Sequence, residues 1–246
     1  MGPALWAGLA LFLAWNAVNL EVDPARIQRG LARAGTVFGR AFPPDFHRWP
    51  LLLEGLVESL QMATLSTALG TLLGVPVAVL AARNVVPLPV YAGGRSIVSL
   101  ARTFHEIVVA IVLVKAVGFG PLAGTLTLTI NSLGFFSKLL AEQIEQIDRG
   151  QVEAIRATGA GRGQVLLYGV LPQVLPRIIG LTAYQWDIHL RQSTIIGIVG
   201  AGGIGTTLYN SFARYDYDFT LAILVVIVAI VCVGEWVSAW ARTRIQ

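Results

Sequence analysis

Charge is what this sequence has least of. Asp, Glu, Lys and Arg make up 13% of its 246 residues, about half the ~25% of an ordinary soluble domain. Such a shortage leaves too little polar surface to hold a soluble fold in water, because 55% of the residues are apolar before any of the 26 glycines are counted. Cysteine is nearly absent as well. Cys232 stands alone in an apolar run, so it has no intrachain disulfide partner and is expected to fill space between helices. There is no basic stripe, since the net charge of +4 is spread over scattered arginines, and without one nucleic-acid binding has no footing. No GxxxxGK[ST] phosphate loop occurs, and the 3 histidines and single cysteine are too dispersed for a metal cluster or a nucleophile–base pair. The opening MGPALWAGLALFLAWNAVNL lacks a basic n-region and a small-residue cleavage site, which reads as a retained span rather than a signal peptide.

What is present is apolar and comes in long runs. Segments 59–82, 116–137 and 192–213 carry no formal charge, and 219–240 carries only Glu235. About 20 such residues cross a bilayer as a helix, and lipid admits only helices or closed barrels. Barrel strands would alternate in segments of about 10 residues, which LAILVVIVAIVCVG does not do. The chain is therefore expected to be an all-α integral membrane protein, one transmembrane domain over 1–246. Its spans fall at about 4–20, 56–82, 96–118, 121–141, 167–190 and 219–241. Arg26, Arg29, Arg33 and Arg40, interleaved with Ile27, Leu31, Val37 and Phe38, predict an amphipathic helix at the interface, ended by the prolines of FPPDF at 42–46. Counting arginines and lysines favours an inside amino terminus only slightly.

Four groups of residues stand out from this background. The segment 142–163, EQIEQIDRGQVEAIRATGAGRG, is polar; its residues up to Thr158 suit a short helix that the following glycines end. It is either a solvated loop or an element that docks in a partner's groove. Arg102, His105 and Glu106 lie in the third span and Asp187 and Arg191 in the fifth, beside His189, Gln192, Ser193 and Thr194. Ionisable groups within spans are costly and mark function by default. Both Arg–carboxylate spacings are four, so each pair shares a helix face and can neutralise itself. Asn131 and Ser132 put neutral polar groups midway in the fourth span. Finally, Gly200, Gly202 and Gly205 spell GxGxxG, but no strand–helix–strand unit surrounds them. With Gly203 they suit a tight bend near the outer end of the fifth span, a gate or re-entrant turn, or simple close packing of helices through small residues.

The polar segment carries a resemblance. Glu153-Ala154, Gly159 six residues on, and Leu171-Pro172 resemble the EAA-x3-G-x9-I-x-LP signature of ABC importer permeases, with Ile155 for the second alanine and Gly169 for the isoleucine. GVLPQVLP, the polar run of the fifth span and VGAGGIG follow one another as in the phosphonate-type permeases. FPPDF, the Arg102–Glu106 pair and VGFGPLAG at 117–124 are similar too, so the likeness runs from about residue 40 to near the end. RTFHEIVVAIVLVKAVG at 102–118 is similar to the branch thought to carry phosphite or hypophosphite.

This resemblance implies a type I ABC importer transmembrane subunit of about six helices, in which 1–50 holds the first span and interfacial helix and 51–246 the permease core. It implies a multi-pass protein of the bacterial cytoplasmic (inner) membrane moving a phosphonate, phosphite or hypophosphite. Segment 142–166 would be cytoplasmic, and Glu153, Ala154, Arg156 and Gly159 would form the coupling helix. The implied partners are two cytoplasmic ATPase subunits that hold ATP and Mg, a periplasmic or lipid-anchored solute-binding protein, and a second permease copy or homologue within the lipid. The chain itself would bind no cofactor. On this view Arg102, His105, Glu106, Asn131, Ser132, Asp187, Arg191, Ser193 and Thr194 line an oxyanion path, the donors lowering the desolvation cost and the carboxylates preventing overly tight binding. The glycines at 200, 202, 203 and 205 would form its gate. A gradient-driven secondary anion transporter or channel is the alternative; it requires inverted repeats around broken helices, and no segment has an evident second copy.

Overall fold

The computed structural model describes residues 2–20 and 23–245, and every regular element among them is helical. Helix α1 (Pro3–Asn19) is exposed along nearly all its length. In α2 (Pro24–Ala41) Asp23 accepts the Ala25 N–H at 2.9 Å and Pro24 opens the first turn, the positions each residue type favours. This is the expected arginine-bearing helix; it stops just before Pro43 and packs on the last helix. In the loop that follows, the backbone N–H of His47 holds the Asp45 carboxyl below the usual carboxylate range.

Helix α3 (Trp49–Leu80) and α6 (Pro121–Glu145) form the central pair. Along their crossing Gly70 faces Ser132, Gly74 faces Phe136 and Ser137, and the Ser137 hydroxyl donates to the Gly74 carbonyl at 3.0 Å. Lipid tails are as apolar as leucine, so helices in a membrane associate through close packing and polar contacts. Small residues along this seam permit that approach.

Between them come α4 (Leu88–Ala101) and α5 (Glu106–Val117), bent by 82° at the break from Arg102 to His105. The expected continuous span at 96–118 is therefore corrected to a broken one. Neither proline nor glycine marks the place. Instead the Thr103 hydroxyl bonds back to the Ser99 carbonyl at 2.9 Å, and His105 Nδ1 accepts the Ile107 N–H at 3.4 Å to start α5. Polar side chains within an apolar run thus supply the local partners that helix ends need.

Beyond α6, the short α7 (Arg149–Ala157) leads to α8 (Arg162–Val165), which continues through a π-helical turn at Leu166–Val170 into α9 (Leu171–Gly197). Helix α10 (Ile204–Ala213) and α11 (Tyr217–Ile245) complete the chain. Among the described residues three helices, α3, α8–α9 and α11, are long and apolar enough to cross a membrane, and counting each bent pair as one span raises the number to five. Helix α6 is a sixth by length, at 25 residues. It is surrounded by α3, α4, α5 and α9, so it meets protein rather than lipid and tolerates Thr125, Thr127, Thr129 and Asn131. Cys232 is exposed on α11, which corrects its expected place between helices.

Where α4 crosses the end of α3, Gly94 is buried, and a Cβ there would lie 2.5 Å from the Leu80 carbonyl carbon and 2.7 Å from the Ala81 nitrogen. Backbone cannot yield as a side-chain tip can. Gly94→Ala should destabilise the solubilised protein by about 1–3 kcal/mol. Gly93→Ala, next door with nothing within 4 Å, should leave thermal unfolding unchanged; comparing the two melting curves checks this.

Candidate functional site

The break between α4 and α5 opens a cavity of about 440 Å³, closed on its far side by Asn131 and Phe135 of α6 and Gln192 of α9. Glu106, 8% exposed, accepts from Asn131 Nδ2 at 3.2 Å. Because His105 Nδ1 is an acceptor at the start of α5, its ring proton resides on Nε2, a free donor. Arg102 lays its aliphatic stem across α6 where Gly134 leaves room, since a Cβ at 134 would come within 2.6 Å of its Cγ. The expected Arg102–Glu106 pairing is corrected: the two residues lie on either side of the bend, and Arg102 forms no ion pair among the described residues. The Gln192 Oε1 is buried without a hydrogen-bond partner.

The depth of this cavity matters. Asn131 adjoins Ser132, which faces Gly70 partway along α3, so the break lies well inside the bundle's span. Arg102 and His105 are exposed at that depth in the single chain. A bare arginine facing hydrocarbon is costly. This face is built for water or for another protein.

The other expected path residues separate from it. Ser132 is buried on the opposite side of α6, against Gly70, and its hydroxyl lacks a partner. Asp187 and Arg191 do pair, at 2.7 Å, but they lie toward α11, where a Cβ on Gly234 would stand 3.9 Å from Asp187 Oδ1. Ser193 is buried and donates to the Leu190 carbonyl at 2.8 Å. The Thr194 carbonyl is crowded by Gly205, where no Cβ would fit.

His189 proves central to the interior, although only its presence among polar neighbours was evident. It is fully buried, with Nδ1 2.9 Å from both Ser66 Oγ and Thr67 Oγ1 and Nε2 2.9 Å from Gln185 Nε2. Both hydroxyls already donate to the Ala63 carbonyl, so Nδ1–H is the donor and Nε2 accepts from the Gln185 amide. Trp186 to Thr64 at 3.1 Å and Thr71 to Thr182 at 3.3 Å extend this into a polar ladder between α3 and α9. The signal for it was the helical spacing of Thr182, Gln185, Trp186 and His189.

At the end of α9, Gly200, Gly202 and Gly203 adopt φ of 89°, 84° and 74°, a region that glycine enters without strain. The loop is tied down: Gly120 N–H donates to the Gly200 carbonyl at 3.0 Å, Gly203 N–H to Glu58 at 2.9 Å and Ile204 N–H to Ser59 at 2.9 Å. From His189 beside Ser66, through Gly203 beside Ser59, to Asp216 paired with Arg48, the chain climbs steadily along α3. The glycines thus form a tight bulge between α9 and α10, without the reversal a re-entrant turn requires. Beside it lies a second cavity of about 870 Å³, lined in part by Glu54, Glu58 and Phe119.

The polar segment forms α7, a nine-residue helix capped by Asp148, which accepts the Gly150 N–H at 2.8 Å. Gln173 of α9 grips its start, accepting from Asp148 N–H at 2.9 Å. Val152 is buried in the cluster that also holds Val165, Val170 and Val174. Glu153, Ala154 and Arg156 face outward, and Gly159 at φ 83° turns the chain. The element is a fixed helix with a free polar face.

A helical bundle that holds a broken span at mid-depth and hangs a short capped helix from two of its rods has the architecture of a solute-transport membrane subunit. Residues 74–246 match the family described as binding-protein-dependent transport system inner membrane component, and the chain belongs to that family. It is 40% identical over 244 residues to the phosphite transport system permease protein PtxC of Stutzerimonas stutzeri, covering 99% of this chain and 88% of that protein. It is 38% identical over 230 residues to the phosphate-import permease protein PhnE of Mycolicibacterium smegmatis, covering 93% of this chain but only 43% of that longer protein. Its fold matches a chain of the inward-facing MetNI methionine ABC transporter with a TM-score of 0.72 at 24% identity, covering 82% of this chain and 99% of the other. The all-α permease architecture and inner-membrane location are thereby established, in favour of the importer reading over the gradient-driven one.

Replacing His189 with leucine removes the partner of Gln185 and of two buried hydroxyls. An unsatisfied buried polar group costs about 1–3 kcal/mol. His189→Leu should therefore lower the melting temperature of the solubilised protein, whereas substitution of the exposed Arg191 by lysine should have little effect.

Proposed function

We propose that this permease component carries a phosphorus oxyanion of the phosphonate and phosphite group, driven by ATP hydrolysis on partner subunits. The observation that carries the reading is the mid-depth break, where Arg102 and His105 stand exposed to a polar cavity rather than paired away. The names of two relatives, phosphite transport permeases at 36% and 40% identity, support the substrate group. Arg102, His105, Glu106 and Asn131 line the path. Ser132, Asp187, Arg191, Ser193 and Thr194 hold its walls, and the bulge of Gly200, Gly202, Gly203 and Gly205 gates its outer end. A second copy of the chain, or a close homologue, completes the conduit by covering the exposed arginine face.

Two cytoplasmic ATPase subunits hold ATP and Mg and receive α7 through Glu153, Ala154, Arg156 and Gly159. A solute-binding protein delivers the anion from the other side. The cycle is a switch between inward- and outward-facing packings, each ligand biasing the one it binds better. The chain is the membrane component of such a machine, and on this reading ATP hydrolysis belongs to its partners.

Proteoliposomes holding the permease, its ATPase and its binding protein test this directly. Uptake of phosphite or an alkylphosphonate should require ATP; uptake that proceeds without it overturns the reading. Glu153→Lys reverses the charge on the free face of α7. Uptake should fall to the level without ATP while membrane insertion is unchanged, and normal uptake would refute the docking role.

A further inference from the structure

The cavity at the α4–α5 break mixes groups that a simple anion site would not. Arg102, the His105 Nε2–H and the amino-terminal end of α5 are donors or positive, and a half-helix end within a membrane favours an anion. Glu106 is an acceptor in the same space, and Gln192, which carries both an acceptor and a donor, lines it. Glu106 uses one oxygen to accept from Asn131 and makes no other hydrogen bond among the described residues. Gln192 Oε1 is buried with no partner at all. A fully deprotonated oxyanion has only acceptor oxygens. Placed here it would satisfy Arg102 and His105 but set its lone pairs against those of Glu106, a juxtaposition that low local dielectric makes costly.

We infer that this cavity selects a phosphorus oxyanion that still carries a P–OH group. The anionic oxygens meet Arg102, His105 and the start of α5, while the P–OH donates its proton in a hydrogen bond to the free oxygen of Glu106. Phosphite and alkylphosphonate monoanions have this group. Hypophosphite, with two P–H bonds and two equivalent oxygens, has no O–H near neutral pH, and neither has sulfate. Net charge agrees: one arginine balances Glu106, and the entering monoanion leaves a single negative charge to be met by neutral donors and the helix end. The inference deepens the proposed function and rests on it, because it assumes that this cavity lies on the anion's route.

The test removes the binding protein, whose own selectivity would mask that of the permease. The permease–ATPase complex is placed in lipid nanodiscs, and equilibrium binding of labelled phosphite is competed with unlabelled hypophosphite and sulfate. In the wild-type complex both competitors should be weaker than phosphite by about tenfold or more, the worth of one charge-assisted hydrogen bond. Glu106→Gln supplies a donor in place of an acceptor and should narrow that gap to about twofold or less. Glu106→Asp should keep it, and Arg102→Gln should weaken all three anions alike. Retained co-elution with the ATPase establishes that each variant is folded. A gap unchanged in Glu106→Gln, or hypophosphite competing as well as phosphite in the wild type, overturns the inference. Absence of phosphite binding to the wild type while ATP-dependent uptake persists overturns this site alone; absence of both overturns the proposed function with it.

Discussion

The register between α3 and α9 is the constraint on which the rest of the molecule depends. Water does not drive these helices together, so specific polar contacts and close approach must do so. His189 is held by two hydroxyls on α3 and by Gln185 on its own helix, and Trp186 and Thr182 add contacts to the same neighbour. A slip of one residue along α9 would rotate this face by about 100° and leave buried polar groups without partners. Gln192 lies three positions beyond His189, and the glycine bulge begins eight residues after that, at Gly200. The ladder therefore sets which atom of α9 closes the cavity at the break, and where α9 gives way to α10.

The break between α4 and α5 works against a different background. An 82° bend at mid-depth frees backbone groups that lipid cannot satisfy. Thr103 and His105 satisfy part of the deficit locally. Packing against α6 does more, because Gly134 lets the Arg102 stem lie close and Asn131 reaches Glu106. Irregular backbone inside a membrane is tolerated where it is covered by protein or lines a cavity, and both conditions hold. Arginine and histidine are then positioned by the bend itself, with no partner carboxylate holding them closed.

Much of the fold was legible before any coordinate. Long uncharged or nearly uncharged runs at 59–82, 116–137 and 219–240 fell on α3, α6 and α11, because a helix within a membrane needs apolar side chains over its length. The run at 192–213 instead straddles the end of α9, the glycine bulge and α10. The arginine spacing at 26–40 located α2, and the EAA-like segment located α7 with its turn at Gly159. What escaped notice has one physical cause: interior faces need not be apolar. The uncharged run at 116–137 and the expected span at 121–141 located helix α6, but not the fact that protein rather than lipid surrounds its threonines. The α4–α5 break carries no proline or glycine, since its caps come from Thr103 and His105, residues that also occur mid-helix. For that reason the i, i+4 rule, valid for Asp187 and Arg191 on a continuous helix, failed for Arg102 and Glu106. The polar face of α9 was visible as composition, but which of its residues met α3 and which met the cavity depended on rotation, a tertiary quantity.

On the proposed docking of α7 to an ATPase, these elements also determine how a push on it would travel. Val152 sits in one cluster with Val165, Val170 and Val174, and Gln173 holds the start of α7 by two backbone contacts. Displacing α7 therefore strains the π-helical turn at Leu166–Val170 before it reaches the straight part of α9. Such turns are rare and recur at functional sites. Two outcomes are available. A yielding turn would absorb the push near α7; a rigid one would pass it to the His189 ladder and on to Gln192 and the glycine bulge. The buried valines on both sides of the turn favour transmission, because close-packed interiors shift between discrete packings instead of deforming smoothly. On the proposed coupling role of α7, α8–α9 is then the element that links its exposed face to the cavity and to the bulge at the far end of α9.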